Sequence, residues 1–323
     1  MRILPALLCA AVTFTAAMPA AMAQAWPNRP VRVLVGFPAG QATDVLARMA
    51  AQRMTDSTGV QFFVENRPGA SGNIAFEMAA RAAPDGYTLL MGSSGTAAIN
   101  PALYAKLPYD INRDFAHIMM MADIPQLLVV NPNFPAKSVR ELIDYAKTRP
   151  GKIDYASGGN GITNHLIMEM FKSATGLRLV HIPYRGGPPA LTDLIAGQVS
   201  LMFETTVGAL PHVRNGKLRA LAISRIKRSA GVPEIPTVAE SGVPGFDASA
   251  WIAMLAPAGT PRDILLRVNG ELNRGIAAPE MRDKLIGMGA DPVGGTPEDF
   301  AAFHRAELAK WSKVVKESGA KID

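Results

Sequence analysis

Apolar and polar residues follow two rhythms along this chain. Short runs rich in β-branched residues, bounded by Gly, Pro, Asn or Asp, alternate with stretches that are apolar at every third or fourth position. That alternation predicts βαβ units and a mostly parallel sheet. Val31 to Gly36 reads as a buried strand, and the stripe Val45, Leu46, Met49 and Ala50 predicts a helix over 44–54. Strands follow over 60–65 and 88–92. The helix between them, over 72–83, is stopped by the turn signal Pro84-Asp85-Gly86. A new series begins at 126–131. Ser138, with Glu141 three residues on, caps a helix that runs to Lys147. Strands over 153–157, 179–183, 199–204 and 218–224 then alternate with helices over 163–174, 189–196 and 209–215. Residues 229–248, rich in Pro and Gly, read as a loop. A strand over 251–256 and helices over 261–275 and 297–318 close the chain.

No fixed-period repeat and no low-complexity tract occurs. The last helices need a surface to cover. Returning them to the first unit makes that unit discontinuous, with lobe 1 formed by 24–124 plus 226–323 and lobe 2 by 125–225. The chain would then cross twice, near 123–126 and within 222–248. Two crossing segments form a hinge that a ligand in the cleft can close.

The N-terminus changes the setting. Arg2, the apolar stretch from Ile3 to Ala17 and the Ala21-Met22-Ala23 site read as a signal peptide cleaved after Ala23. The alternative is an uncleaved anchor. The expected location is the periplasm. The single cysteine, Cys9, lies within that peptide, so the mature chain is expected to form no disulfide and no thiolate metal site. Its core must hold it together, and about 300 residues suffice for two domains. Without Arg2 the chain carries 32 basic and 27 acidic residues, a net +5. The charges are dispersed. The densest basic cluster, Arg225-Ile226-Lys227-Arg228, has no interleaved aromatics, which argues against nucleic acid.

The candidate chemistry lies where strands end in Gly-, Ser- and Thr-rich loops that lead into helices. In open parallel sheets ligands bind at the carboxyl ends of strands, and a helix start offers free N–H groups to an anion. The first loop runs from Phe37 through Ala39, Gly40, Gln41 and Thr43 to Asp44. The second runs from Ser157 through Gly159, Asn160, Gly161 and Thr163 to Asn164 and His165. It lacks the third glycine and the later acid of a dinucleotide fingerprint, so an anion cradle is favoured over NAD. Ser94 and Thr96, after the third strand, are expected to turn their hydroxyls to the same cleft. Tyr184 is expected to offer its phenol, Glu204 to line the far wall, and Trp251 to stack on a flat ligand. Asp44 is either a helix cap or a contact for a ligand ammonium or hydroxyl.

Residues 26–323 resemble the Bug family, the receptors of tripartite tricarboxylate transporters. The resemblance rests on stretches in order: Trp26-Pro27, the Phe37–Asp44 loop, Glu65-Asn66-Arg67-Pro68-Gly69-Ala70, and Asp85-Gly86-Tyr87-Thr88. It continues through 157–165, Pro183-Tyr184-Arg185-Gly186-Gly187, Gly197-Gln198-Val199, 236–242 and Ala256-Pro257-Ala258-Gly259-Thr260-Pro261. It implies a type II periplasmic binding-protein fold of two α/β lobes. It also implies a small organic carboxylate held between the loops matching 37–44 and 157–163 and a membrane permease as partner; a monomer without cofactor or metal is expected. The family usually carries Pro-Gly-Gly where this chain has Ala39-Gly40-Gln41. Gln41 therefore reaches the ligand, fills part of the pocket or forces a different turn.

Enzyme readings find little support. The histidines at 117, 165, 181, 212 and 304 form no H-x-x-x-H pair, and neither a nucleophile elbow nor a Walker loop occurs. Ser224-Arg225-Ile226-Lys227 matches S-x-x-K without its companion motifs. His165 reads as a capping or packing residue before it reads as a base. A sensor that presents its ligand to a signalling partner would use the same fold, and a secreted hydrolase lacks a nucleophile–base pair.

Overall fold

The computed structural model describes residues 26–320. The signal peptide, its cleavage site and Cys9 lie outside the described residues. Strand β1 (Val31–Val35) leads into helix α1 (Ala42–Thr58), β2 (Phe62–Asn66), α2 (Asn73–Ala80) and β3 (Thr88–Ser93). A π-helical turn over 95–99 continues into α3 (Asn100–Leu103) and the long β4 (Phe115–Val130). Next come α4 (Val139–Lys147), β5 (Asp154–Ser157), α5 (Thr163–Thr175), β6 (Val180–Pro183), α6 (Gly187–Ile195) and β7 (Leu201–Thr205). Then follow α7 (Thr206–Arg214), β8 (Arg219–Ile223), β9 (Ser249–Pro257), α8 (Arg262–Ala277), α9 (Pro279–Gly287), β10 (Asp291–Gly294) and α10 (Pro297–Ser318).

The strands form two groups that share β4. Its first half lies between β9 and β10 in the order β2-β1-β3-β9-β4-β10, and its second half lies between β7 and β8 in the order β6-β5-β7-β4-β8. Two α/β lobes result. Strands β3 and β9 are buried along their whole length, as expected where helices cover both faces. Val268, Leu272 and Ile276 of α8 share a core with Leu46, Ala50 and Met54 of α1, while Phe300, Trp311 and Val315 of α10 belong to a second core that also holds Leu166 and Phe171 of α5.

Three expectations need correction. The sheet is mixed rather than mostly parallel, because β9 and β4 run against their neighbours as they carry the chain between lobes. The strand expected to begin at Gln126 is the second half of β4. Pro125, which brings no N–H to the ladder, falls where the strand changes sheets and masks the continuity. Helix α9 and strand β10 occupy a stretch assigned no element, since their burial comes from tertiary neighbours and not from a local stripe.

The two crossings meet at one buried hydroxyl. Gln126 N–H donates to Ser224 Oγ at 3.0 Å, and Ser224 Oγ donates to the Ala248 carbonyl at 2.6 Å. The Ser224 N–H donates to the Gln126 carbonyl, and the Ala248 N–H to the Ser224 carbonyl. One residue after β8 thus ties both connecting segments together.

Candidate functional site

A cavity of about 630 Å³ opens between the lobes, in the range of small-molecule sites. Its walls are the loops that follow β1, β2 and β3 in one lobe and β5, β6 and β7 in the other. This is the carboxyl edge of the parallel strands. Ile124, Gln126, Ala250 and Ile252, from the crossing strands, also line it.

Four helices, α1, α2, α5 and α6, begin at this cavity without a side-chain cap, and α1 and α5 leave open amides on its wall. Helix α1 starts after Gln41 and α5 after Ile162, and neither residue caps its helix. The first intrahelical bonds start from Val45 N–H and Leu166 N–H, so the amides of Ala42, Thr43, Thr163 and Asn164 have no backbone partner. All four residues line the cavity. Ser138, Thr205 and Thr296 cap α4, α7 and α10 with their hydroxyls, whereas α1 and α5 keep their first amides open. The open amides, with the positive ends of two helix dipoles, suit an anion held between the lobes.

Each cradle is wound by residues of its own helix. In the first loop, Gly40 takes φ 86°, while Gln41 sits at φ −76°, ψ 160°, a conformation any residue adopts. The glutamine therefore leaves the turn undistorted. Its amide reaches the facing lobe: a methyl placed on Gly186 would stand 3.1 Å from Gln41 Nε2. Asp44 lies behind the loop and does not line the cavity. Its carboxylate accepts from Gly40 N–H (2.9 Å), Arg48 Nε (3.0 Å) and Asn66 Nδ2 (2.9 Å). Burial alone would raise the Asp44 carboxyl. The bonds from Arg48, Gly40 and Asn66 outweigh it and hold the group below its ordinary value. Asp44 thus shapes the loop, and Arg48 neutralises it away from the anion position.

In the second loop, Gly158 N–H donates to Asn164 Oδ1 (3.3 Å) and Gly161 N–H to His165 Nδ1 (2.9 Å). The His165 ring stacks on His181 at 4.0 Å with planes 8° apart, and His181 Nε2 shares a 2.6 Å hydrogen bond with Ser157 Oγ. Burial pushes both imidazoles down to about 4, and the neighbouring ring adds to the effect at His181. His165 accepts at Nδ1, so it works as the neutral imidazole that packs and orients the loop.

A pH dependence follows. Below the ordinary histidine value the unfolded chain takes up protons that the folded chain refuses. The contribution of His165 and His181 is fully present above about pH 6.5 and is lost as pH falls toward about 4. Unfolding free energies from urea titrations should fall across that window, by up to about 1.4 kcal/mol per pH unit for each histidine. The double variant His165→Gln/His181→Gln should make the profile shallower, leaving the part due to the buried His117 and His304. An unchanged slope in that variant would contradict the assignment.

Nine sequence candidates line the cavity: Phe37, Gly40, Gln41, Thr43, Gly159, Thr163, Asn164, Tyr184 and Glu204. Ala39, Ser157, Asn160 and Gly161 lie in the same loops without lining it. Ser94 and Thr96 do not face the cleft. Both are fully buried in the wall, Ser94 Oγ against Thr163 Oγ1 at 3.0 Å and Thr96 Oγ1 donating to the Ser71 carbonyl at 2.9 Å. The chain coils immediately after β3, which turns Ser93 and Gly95 to the cavity instead. Tyr184 presents its ring, but its hydroxyl donates to Asp193 Oδ2 at 2.7 Å; burial and that bond push it up to about 12. Trp251 is fully buried, its indole N–H donating to Glu307, and stacks on no ligand.

Sequence reasoning missed the loop Pro68–Gly72, the segment Arg185–Pro188, Val207 and Gly208, and the hinge residue Gln126. The first carries the signal used elsewhere, small and glycine residues after a strand. Its turn is extreme, with Ala70 and Ser71 at φ 47° and 54°. A methyl on Gly36 would stand 2.7 Å from Gly72 Cα, so this loop packs directly on the first cradle.

Two lobes joined by crossing strands, with an anion-suited cavity between them, define a solute-binding protein of the type II periplasmic class. The chain belongs to the tripartite tricarboxylate transporter receptor family, whose sequence pattern matches residues 46–320. It is 39% identical over 301 residues to Protein BugT of Bordetella pertussis, covering 93% of this chain and 92% of that one. It is 36% identical over 294 residues to the UPF0065 protein in the tcbD-tcbE intergenic region of Pseudomonas sp. strain P51, covering 91% and 87%. Among solved structures, R. palustris Rpa4515 with adipate matches with a TM-score of 0.89 and 38% identity, over 92% of this chain and 100% of that one. MatC (Rpa3494) from Rhodopseudomonas palustris with bound malate matches at 0.83 and 33%, over 90% and 100%. The structure of periplasmic binding protein BugD matches at 0.84 and 34%, over 92% and 99%; this family consists of receptors, not enzymes.

Proposed function

We propose that this chain captures a small organic carboxylate between lobe 1 (24–124 with 226–323) and lobe 2 (125–225). It then delivers the ligand to the permease subunits of a tripartite transporter. One observation carries the reading: the uncapped starts of α1 and α5, one from each lobe, line the same cavity. A carboxylate that accepts from both binds the closed arrangement better than the open one, and that difference shifts the population toward closure. Two of its structural relatives, one with adipate and one with bound malate, hold carboxylates of this kind.

The test is a thermal-shift screen of the mature protein against adipate, malate, amino-carboxylates and aromatic carboxylates. A ligand at about one hundred times its Kd stabilises the folded state by about 2.7 kcal/mol. A panel in which no carboxylate raises the melting temperature would refute the proposal.

A further inference from the structure

Resting on the carboxylate-binding reading, we infer that Glu204 meets the ligand as a neutral acid and donates the hydrogen on its Oε2 to a carboxylate oxygen. Among the described residues that line the cavity, Glu204 is the one acid and Arg185 the one cation. Glu204 stands near the end of β7, and its side chain reaches Asn164, the second residue of α5. An ionised acid at that place would repel an anion held at the second cradle. Its surroundings make it a donor instead.

The two oxygens of Glu204 have unequal neighbours. Oε1 accepts from the Thr205 N–H and hydroxyl at 2.9 and 2.8 Å, as a carbonyl oxygen would. Oε2 meets Asn164 Nδ2 at 3.5 Å, too far for a strong bond. Asn164 turns its own oxygen to the Gly158 N–H, so it takes no hydrogen from Oε2. Leu127 is the cross-strand partner of Glu204 on β4. From α6 and α7 come glycines, where a methyl on Gly187 would stand 2.7 Å from Oε2 and one on Gly208 3.1 Å from Oε1. None of these residues carries a charge. Arg185 is exposed, where water and salt weaken its pull.

A buried carboxylate without a cation is costly, and such a group keeps its proton. Burial raises the Glu204 carboxyl, opposed only by its bonds with Thr205 and Asn164. An anion bound in the same enclosed space raises it further by like-charge repulsion. The fold is indifferent to the proton, because Oε1 still accepts from Thr205. The ligand is not indifferent. It gains a side-chain O–H beside the open amides of Thr163 and Asn164, and an O–H donated to a carboxylate is a strong, charge-assisted bond.

Infrared difference spectroscopy of the mature protein at neutral pH tests this, with the tightest carboxylate of the thermal-shift screen, adipate and malate first. Isotope-labelled ligand separates its own carboxylate bands from those of the protein. The complex should show a protonated-carboxyl band that responds to ligand, moves in heavy water and is missing from Glu204→Gln. Calorimetry supplies the second readout. Glu204→Gln keeps a donor on the same arm and should bind within about threefold of wild type, whereas Glu204→Met, without one, should bind about tenfold or more weakly. The wild-type band decides the matter if Glu204→Met melts early without ligand. An ionised Glu204 in the complex would overturn this inference and leave carboxylate binding intact. So would a Glu204→Gln protein that loses as much affinity as Glu204→Met, or wild-type affinity in Glu204→Met. Failure of the whole carboxylate panel to bind would overturn the carboxylate reading with it.

Discussion

Replacing Thr163 by proline is expected to weaken carboxylate binding by about 10- to 100-fold without unfolding the protein. Thr163 is the first residue of α5, the helical position at which proline is best accommodated. Ile162 before it sits at φ −75°, ψ 166°, the extended conformation that a following proline prefers. Proline therefore removes one N–H from the second cradle and little else of the backbone. A hydrogen bond to a charged group contributes about 1.5–3 kcal/mol, and that range sets the expected loss. The hydroxyl needs its own control, because Thr163 Oγ1 meets Ser94 Oγ across the two lobes. Thr163→Val keeps the amide and removes that contact. Ala42→Pro makes the matching change at the start of α1, where Gln41 is also extended. Titration calorimetry of all three, with the tightest carboxylate of the screen, separates the contributions. Wild-type affinity in both proline variants would show that these amides do not hold the ligand.

The largest effect on stability is expected at Ser224. Its side chain is fully buried between the two crossing segments and serves the Gln126 N–H and the Ala248 carbonyl at once. Ser224→Ala leaves both backbone groups buried without a partner, in a space left too small for water to replace the oxygen well. At about 1–3 kcal/mol for each of the two orphaned groups, the loss should reach about 2–6 kcal/mol. Urea denaturation should show a lower midpoint with an unchanged slope. A loss below about 1 kcal/mol would mean that the crossing relaxes around the missing hydroxyl, and that Ser224 does not tie the hinge.

Much of the site was legible because its chemistry is local. A strand that ends in glycine and small polar residues and runs into a helix announces a helix start with free amides. Residues 37–44 and 157–164 carry that pattern in the sequence. The side chains that wind each cradle, Asp44 back to Gly40 and His165 back to Gly161, lie only four residues from their partners. Ser94 and Thr96 misled because a hydroxyl-rich turn looks alike whichever way it coils. The coil over 95–99 aimed Ser93 and Gly95 at the cavity instead. Trp251 misled because an aromatic near a cleft and an aromatic in a core have the same spelling; the buried Glu307 that accepts its N–H is 56 residues away.

The sequence by itself determined the α/β alternation, the cap of α4 and the two glycine-bearing loops that run into α1 and α5. All of these follow from spacings within one or two turns. Only the tertiary structure decided that β4 serves both sheets, that Ser224 ties the crossings, and that Gln126, Arg185 and the loop 68–72 join the cavity. The physical reason is range. A cap or a turn is settled by neighbours a few residues apart. A cavity wall is settled by which buried strands pair, and that depends on burying the whole apolar surface at once.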